Sequence, residues 1–344
     1  MRIAYTIGII VLFGCVVRAQ SAAEKTALDL CLANAPGSST DGLVRVFYTP
    51  KIADERDAIV FINAVRVSAE VRWISRCNGV SGIVLRGTND QLGITEWLIQ
   101  QVYGSDTTGN SQPQYVIANS PTGVIRTFHL QRTTNQQGQA EMVNMLRTAT
   151  ELQRVAQIYI GMTVIVRGEP EKVALAEWLV NELDVAPQPF ARERVTENKW
   201  VPVVRIFPLP QVQSTQALAE LVNLTLKMTE LQRVARFTGA GMKTVVAGGP
   251  GDNIALADWL IGQLQNPNGS AGAGSSRALG NSGESVKLFY RPGSTDPQEL
   301  ASMVKAITDA ASVQRVGFYT PSRVIAVRGT ADQIAKAAKV IGGE

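Results

Sequence analysis

Val164-Ile165-Val166-Arg167-Gly168 places three β-branched apolar residues in a row before an arginine and a glycine. A short apolar run of this kind suits a central strand of a sheet, and the glycine permits a sharp turn into a helix. Three related stretches are Ile83-Val84-Leu85-Arg86-Gly87, Val245-Val246-Ala247-Gly248-Gly249 and Ile325-Ala326-Val327-Arg328-Gly329. The final glycines lie 81, 81 and 80 positions apart, which indicates an internal repeat.

A second set of matching positions lies upstream in each copy, where an apolar run ends at a phenylalanine. These residues are Phe47, Phe128, Phe207 and Phe289, and they are 81, 79 and 82 positions apart. Two independent sets of positions therefore share one period. Ten residues after each glycine stands Trp97, Trp178 or Trp259, but Lys339 takes this place in the fourth copy.

Local patterns predict the elements of each copy, and the fourth is the clearest. Val286 to Tyr290 alternates as a half-buried strand does, and Asp296-Pro297 begins a helix with proline in its first turn. Thr88 with Gln91, and Thr330 with Gln333, have capping-box spacing for the last helix, whereas Pro170 starts it in copy two. Each copy is predicted to fold as β-α-β-β-α, a small α+β domain whose two helices cover one face of a sheet.

The sequence between the copies changes to Gly, Ser, Pro, Ala and Asn, which is typical of flexible linkers. We therefore expect a tandem repeat of four small domains arranged as beads on a string or loosely stacked. The predicted divisions are a signal peptide at 1–19, an N-terminal helix and linker at 20–42, repeats at 43–103, 115–185, 199–265 and 284–344, and a Gly/Ser-rich linker at 266–283.

The N-terminus has the features of an export signal. Arg2 precedes an apolar run from Ile7 to Val17, and small or modest residues allow cleavage after Ala19. The sequence before Cys15 also resembles a bacterial lipoprotein cleavage box, so a lipid-anchored form through Cys15 is an alternative to a free periplasmic protein. Cleavage removes Arg2 and Arg18 and lowers the formal net charge from +4 to +2. A net charge of this size does not imply a nucleic-acid partner.

Two cysteines, Cys31 and Cys77, remain after such a cleavage. In an oxidising compartment an even pair predicts one disulfide, which would tie a short N-terminal helix to the first repeat. The alternative is two unrelated buried thiols.

The recurring pieces resemble the N-terminal periplasmic domains of bacterial secretins. They are Arg45-Val46-Phe47, Leu85-Arg86-Gly87-Thr88 and Val327-Arg328-Gly329-Thr330, within residues 43–342. The resemblance implies a KH-like fold and a ring-building role in secretion or pilus machines. No stretch after the fourth copy is long enough for the secretin pore domain. Gly248 and Lys339 also depart from the repeated arginine and tryptophan, so a site that used either residue would be incomplete.

Catalytic patterns are missing from the sequence. His129 is the only histidine, which excludes a multi-histidine metal site and a pair of histidines acting as acid and base. A Cys-His nucleophile using His129 is a weaker reading than a structural histidine at a strand end. We predict that the chain is not an enzyme and uses no cofactor or metal, although an unrecognised hydrolase remains as a third hypothesis.

Two further sets of residues are candidates for binding. One set follows the first helix of each copy and consists of Arg154, Arg233 and Arg315, which are either solvent-facing strand residues or contacts to a ligand. The other set lies on the last helices and consists of Trp97, Trp178 and Trp259, which are either partly buried or anchors of an interface. The main hypothesis is an exported module that binds envelope proteins, and self-association is compatible with it. The alternative is binding of an envelope polymer or nucleic acid through the arginines, although no Gly-x-x-Gly loop supports nucleic acid and nothing indicates a small-molecule substrate.

Overall fold

A computed structural model gives the fold of the chain. It describes residues 26, 29–31, 42–49, 52, 54–77, 81–104, 113–199, 201–265, 275–280, 282–291 and 296–342. The predicted signal peptide, Cys15 and most of the N-terminal linker lie outside these residues. Within the described part, no helix is long and apolar enough to cross a membrane.

This part of the chain contains four units, and each unit consists of one small antiparallel sheet and two helices. Unit 1 contains β1 (Leu43–Tyr48), α1 (Glu55–Ala69), β2 (Trp73–Cys77), β3 (Gly82–Gly87) and α2 (Asn89–Tyr103). Unit 2 contains β4 (Gln114–Val116), β5 (Val124–His129), α3 (Gln136–Thr150), β6 (Arg154–Ile158), β7 (Thr163–Gly168) and α4 (Pro170–Leu183). Unit 3 contains β8 (Arg192–Val195), β9 (Val203–Pro208), α5 (Thr215–Thr229), β10 (Arg233–Phe237), β11 (Thr244–Gly249) and α6 (Gly251–Gln265). Unit 4 contains β12 (Ser276–Ala278), β13 (Glu284–Tyr290), α7 (Pro297–Ala311), β14 (Arg315–Tyr319), β15 (Val324–Thr330) and α8 (Ala331–Gly342).

The apolar run of each copy forms an inner strand of its sheet. The strand orders are β2-β3-β1, β6-β7-β5-β4, β10-β11-β9-β8 and β14-β15-β13-β12, and all pairings are antiparallel. The prediction of small α+β units is therefore confirmed at the level of secondary structure and pairing.

The helices begin where the sequence provides caps. In units 1 to 4 the first helix is capped by Asp54, Asn135, Ser214 and Asp296, whose side chains accept a backbone N–H of the first turn. Thr88 and Gln91 form the predicted capping box, and Thr330 and Gln333 exchange the same two bonds. These local signals made the helix starts predictable.

The prediction of flexible linkers is corrected where they contain strands. β4, β8 and β12 lie in or at the edges of the predicted spacers, and each pairs with the first long strand of the unit that follows. Strands of three or four residues with few apolar side chains show almost no strand pattern in the sequence, so linker was predicted at these positions. Short, polar edge strands of this kind also discourage pairing with other sheets.

The predicted arrangement, beads on a string or loosely stacked units, is corrected too, because neighbouring units share hydrophobic cores. Ile158 and Ile165 of sheet 2 belong to the core of unit 1, and Ile206 and Val246 of sheet 3 belong to the core of unit 2. Likewise Leu288 of sheet 4 belongs to the core of unit 3. Sheets 2 to 4 are therefore covered on both faces, on one by their own helices and on the other by those of the preceding unit.

Ile165→Ala tests this sharing. Ile165 is fully buried against unit 1, so we expect the substitution to lower the free energy of unfolding by roughly 2–4 kcal/mol in urea denaturation. Val195→Ala, at a side chain that is 73% exposed, is the control and should change little. If Ile165→Ala costs no more than the control, the face of sheet 2 is not covered in solution.

Candidate functional site

The candidate site lies at the junctions between units, where charged side chains of one unit bind those of the next. The first helix of units 1, 2 and 3 packs against β6, β10 and β14 of the next unit. Each of these helices ends at a glutamate, and Glu70, Glu151 and Glu230 have φ of 55°, 60° and 57°. Glycine is the usual residue at a left-handed cap, since other residues lose about 1–2 kcal/mol in that conformation. A glutamate recurring there indicates that its carboxylate is needed.

The three carboxylates reach across the junctions to the arginines singled out in the sequence. Glu70 pairs with Arg154, Glu151 with Arg233 and Glu230 with Arg315. Each arginine is the first residue of the strand on which the preceding helix packs. The arginine side chains are 19–39% exposed, so they are neither fully buried nor free in solvent.

Two junctions add a second, more buried arginine. Arg167 lies directly across the sheet from Arg154, and Arg328 across from Arg315. Arg167 Nη1 donates to Ser68 O and Arg328 Nη1 donates to Met228 O, both at 2.8 Å. These carbonyls belong to last helical turns, where carbonyl groups have no partner within the helix and carry partial negative charge. The repeated arginine of the Arg-Gly stretch is therefore bound to the helix end of the preceding unit.

The same arginines also contact the glutamates. Arg167 Nη2 lies 3.0 Å from Glu70, and Arg328 Nη2 lies 3.2 Å from Glu230. Burial lowers the pKa of Arg167 from its ordinary value, and the charge of Glu70 opposes that shift. Each carboxylate therefore compensates a guanidinium that has lost most of its water.

The middle junction uses a different arrangement. Gly248 stands across from Arg233 where the other units have an arginine, and a Cβ at this glycine would lie 2.8 Å from Cγ1 of Val201. Val201 is buried and takes up the space, while Asn198 Nδ2 lies 3.5 Å from the second oxygen of Glu151. The junction remains complete without the second arginine, contrary to the expectation that a repeated site would fail here.

The other end of the junction helix carries a second acidic contact in two cases. Glu141 accepts from the backbone N–H and hydroxyl of Thr238 at 2.8 and 2.6 Å. Glu220 accepts from the same groups of Thr320 at 2.9 and 3.1 Å. Burial, with a smaller contribution from Glu220, raises the pKa of the neighbouring Tyr319 to about 12. Each of these junctions is thus fixed at both ends of the helix.

The first helix of unit 4 lacks these groups. It ends at Ser312, which has φ of 51° like the glutamates but has no carboxylate. Its exposed side chains include Ser302, Ala306 and Asp309. On α7, the side chains that face away from its own unit are therefore small or polar, whereas the first helices of units 1 to 3 bind the next unit.

The tryptophans lie partly buried on the second helices. Trp97 belongs to the edge of the core that units 1 and 2 share, and its ring centroid is 5.7 Å from that of Tyr115 in β4. Trp178 and Trp259 pack against the corresponding cores of the following junctions. A role for them as anchors for other proteins stays a prediction.

Three further residues from the sequence analysis, His129, Cys31 and Cys77, lie in the described part of the chain. His129 Nδ1 lies 3.0 Å from Thr163 Oγ1, and burial lowers the pKa of the imidazole. Cys31 is a half-buried and Cys77 a buried free thiol, and burial raises the pKa of Cys77, with a smaller contribution from Cys31. Within the described residues, no three His, Cys, Asp or Glu side chains are grouped so that they could hold a metal ion.

The glutamates were missed in the sequence, although a signal for them was present. Glu151 and Glu230 each stand three positions before the arginine of their own copy, but each pairs with the arginine of the next copy. Only an expectation of contact between copies would have linked residues some 80 positions apart.

Comparison with known proteins gives little additional information. No protein-family model matches the chain, and neither does any curated protein. Among solved structures, ExeD of Aeromonas hydrophila aligns with 64% of this chain and 40% of its own at 15% identity and a TM-score of 0.15. GspD in the pilotin-secretin AspS-GspD complex of ETEC aligns with 89% of this chain and 55% of its own at 13% identity and a TM-score of 0.16.

Aspartate kinase from Synechocystis aligns with 87% of this chain and 53% of its own at 10% identity and a TM-score of 0.19. The chain thus spans about half the length of these structures or less. TM-scores this low carry no argument for a shared arrangement or activity.

Glu230→Gly and Ser312→Gly form a matched pair that isolates the carboxylate. Both relieve a left-handed backbone at a helix end, and both add the freedom of glycine to the unfolded chain, so the two effects offset and Ser312→Gly should change stability by no more than about 1 kcal/mol. Glu230→Gly also removes the carboxylate that joins Arg315 and Arg328 to unit 3, while Glu284 of unit 4 still pairs with both, and it should cost roughly 1–3 kcal/mol in urea unfolding. Equal effects of the two substitutions would show that the glutamate does not hold the junction.

Proposed function

We propose that the chain is a non-enzymatic, exported scaffold that presents its units to protein partners in the cell envelope, within a secretion or pilus apparatus. The observation that carries the proposal is the recurrence of one junction, in which a helix-end glutamate binds strand arginines of the next unit in all three cases. Each junction contains a glutamate with a left-handed backbone and one or two partly buried arginines, which fix one unit on the next. A chain whose units are fixed in this way is suited to holding binding surfaces at set positions.

The resemblance of the repeated motifs to secretin N-terminal domains is the support for placing the scaffold in such an apparatus, and the N-terminal export signal is the support for a periplasmic location. Exposed apolar side chains suitable for partner contacts occur just before β8 and at its last residue. Phe190 is 59% exposed and Val195 is 73% exposed.

The alternative, polymer or nucleic-acid binding through the strand arginines, loses the observation on which it depended. Arg154, Arg233 and Arg315 are each paired with a glutamate of the preceding unit. Guanidinium groups already neutralised in this way contribute little to a salt-dependent phosphate contact.

In-cell photo-crosslinking tests the scaffold function. A photoreactive residue at Phe190 or Val195 should give a discrete adduct with one envelope protein or with a second copy of the chain, and the same residue at the exposed Gln100 should give much less. Light scattering after size exclusion should show the corresponding complex with the identified partner.

Two results would contradict the proposal. One is a strict monomer without a protein adduct at any position. The other is a salt-dependent shift of RNA or DNA that disappears when Arg154, Arg233 and Arg315 are replaced by alanine, because that outcome would favour the polymer-binding alternative.

A further inference from the structure

Sheet 1 differs from the other three sheets at one edge. In units 2, 3 and 4 the outer edge of the first long strand is paired with a short strand, which is β4, β8 or β12. Sheet 1 has three strands, and their order places β1 at the end. No strand among the described residues pairs with the outer edge of β1. Such an edge presents backbone N–H and C=O groups in the arrangement that an added strand needs.

The backbone groups of β1 that face this edge are identified by comparison with unit 2. Thr127 donates its N–H to Pro113 O at 3.3 Å, just before β4. Thr127 corresponds to Val46, because each stands directly before the phenylalanine of its copy. Alternate residues of an antiparallel strand bond to the same neighbour. The N–H groups of Val44 and Val46 therefore face the outer edge, whereas that of Arg45 faces β3.

The side chain of Arg45 lacks a contact that its counterparts in units 2 and 3 have. Arg126 Nη2 donates to Gln114 Oε1 of β4 at 2.7 Å, and Arg205 Nη1 donates to Glu193 Oε2 of β8 at 3.1 Å. Each acceptor stands directly across the sheet from its arginine. A strand that completes sheet 1 in the same way therefore needs an acidic or amide side chain opposite Arg45.

Arg45 keeps the contact to its own unit. Its Nη1 lies 3.1 Å from Oε2 of Glu96 on α2, and within the described residues this is the only acceptor that it has. A guanidinium carries five N–H donors, so several remain for a ligand, and the side chain is 29% exposed. Leu43 and Tyr48, at the two ends of β1, are 53% and 48% exposed. The edge is thus accessible along its length.

We propose that the outer edge of β1 binds an extended peptide of a partner protein, which adds a fourth, antiparallel strand to sheet 1. The peptide bonds through its backbone to Val44 and Val46 and places an acidic or amide side chain opposite Arg45. Three units of the same chain show the geometry, because each holds a short strand at this edge. The proposal goes beyond the scaffold function, since it names the binding edge and the backbone form of the ligand.

Fluorescence anisotropy with a labelled peptide of residues 191–197 tests the edge. This peptide contains β8, which pairs with the counterpart of β1 in unit 3, and it would place Glu193 opposite Arg45. We expect saturable binding to the full-length chain. Val44→Pro removes an N–H that faces the edge and leaves the bonds to β3, so it should weaken binding at least tenfold. Arg45→Ala should weaken binding about fivefold, and a Glu193→Ala peptide should bind the parent and Arg45→Ala equally.

Two N-methylated peptides are a matched control that leaves the protein unaltered. In the pairing of β8, Thr196 donates its N–H to Pro202 O at 2.8 Å. The N–H of Arg194 therefore also faces the neighbouring strand, and that of Val195 faces away. Methylation of the Arg194 nitrogen should weaken binding at least tenfold, whereas methylation of the Val195 nitrogen should change it by no more than about twofold.

Three results would overturn the proposal. One is no binding, or the same affinity for both methylated peptides, because strand addition requires N–H groups on one side only. The second is binding that occurs only after prolines replace Ala33 and Asn34, since residues 32–41 of the chain itself would then occupy the edge. The third is a dimer that Val44→Pro converts to a monomer, which would assign the edge to a second copy. None of these results bears on the crosslinks expected for the scaffold function.

Discussion

Sheets that are apolar on both faces are the constraint on which this architecture depends. Val164, Ile165 and Val166 are all fully buried, although successive residues of a strand point to opposite sides. A unit whose own helices cover one side must therefore find a second cover, and the helices of the preceding unit supply it. Sheet and helix layers alternate along the described chain for this reason, and each inner layer of helices serves two sheets.

Apolar contact alone does not fix how one layer sits on the next, and the glutamate-arginine pairs supply that specificity. Each pair joins a helix end to the first residue of a strand, so a unit that slid or rotated would leave charged groups unpaired. Glu70, Glu151 and Glu230 accept a left-handed backbone to reach their partners, while Ser312 occupies the same conformation without one. The contacts around each glutamate-arginine pair vary, since the middle junction has Gly248 and Val201 where the other two have a second arginine.

The local structure of this protein was largely predictable from its sequence, and the contacts between units were not. The caps at Thr88 and Thr330 and the order of long strands and helices depend on neighbouring residues, and these were correctly inferred. Edge strands such as β8 lack a pattern of their own. The pairing of Arg233 with Glu151 could not be read from spacing, because a repeat period describes copies and does not say whether they touch. The continuous apolar strands were the one sign that both faces would be covered.

Whether the units hold fixed positions relative to one another is measured most directly by the distance between unit 1 and unit 3. Spin labels at the exposed Gln100 and Gln216, in a chain with its native cysteines replaced by serine, report that distance by pulsed electron resonance. The shared cores and paired charges predict one narrow distance distribution that broadens with Glu151→Gly. A broad distribution in the labelled chain that keeps Glu151 would contradict the packing of the units on shared cores, because it would mean that the units move independently.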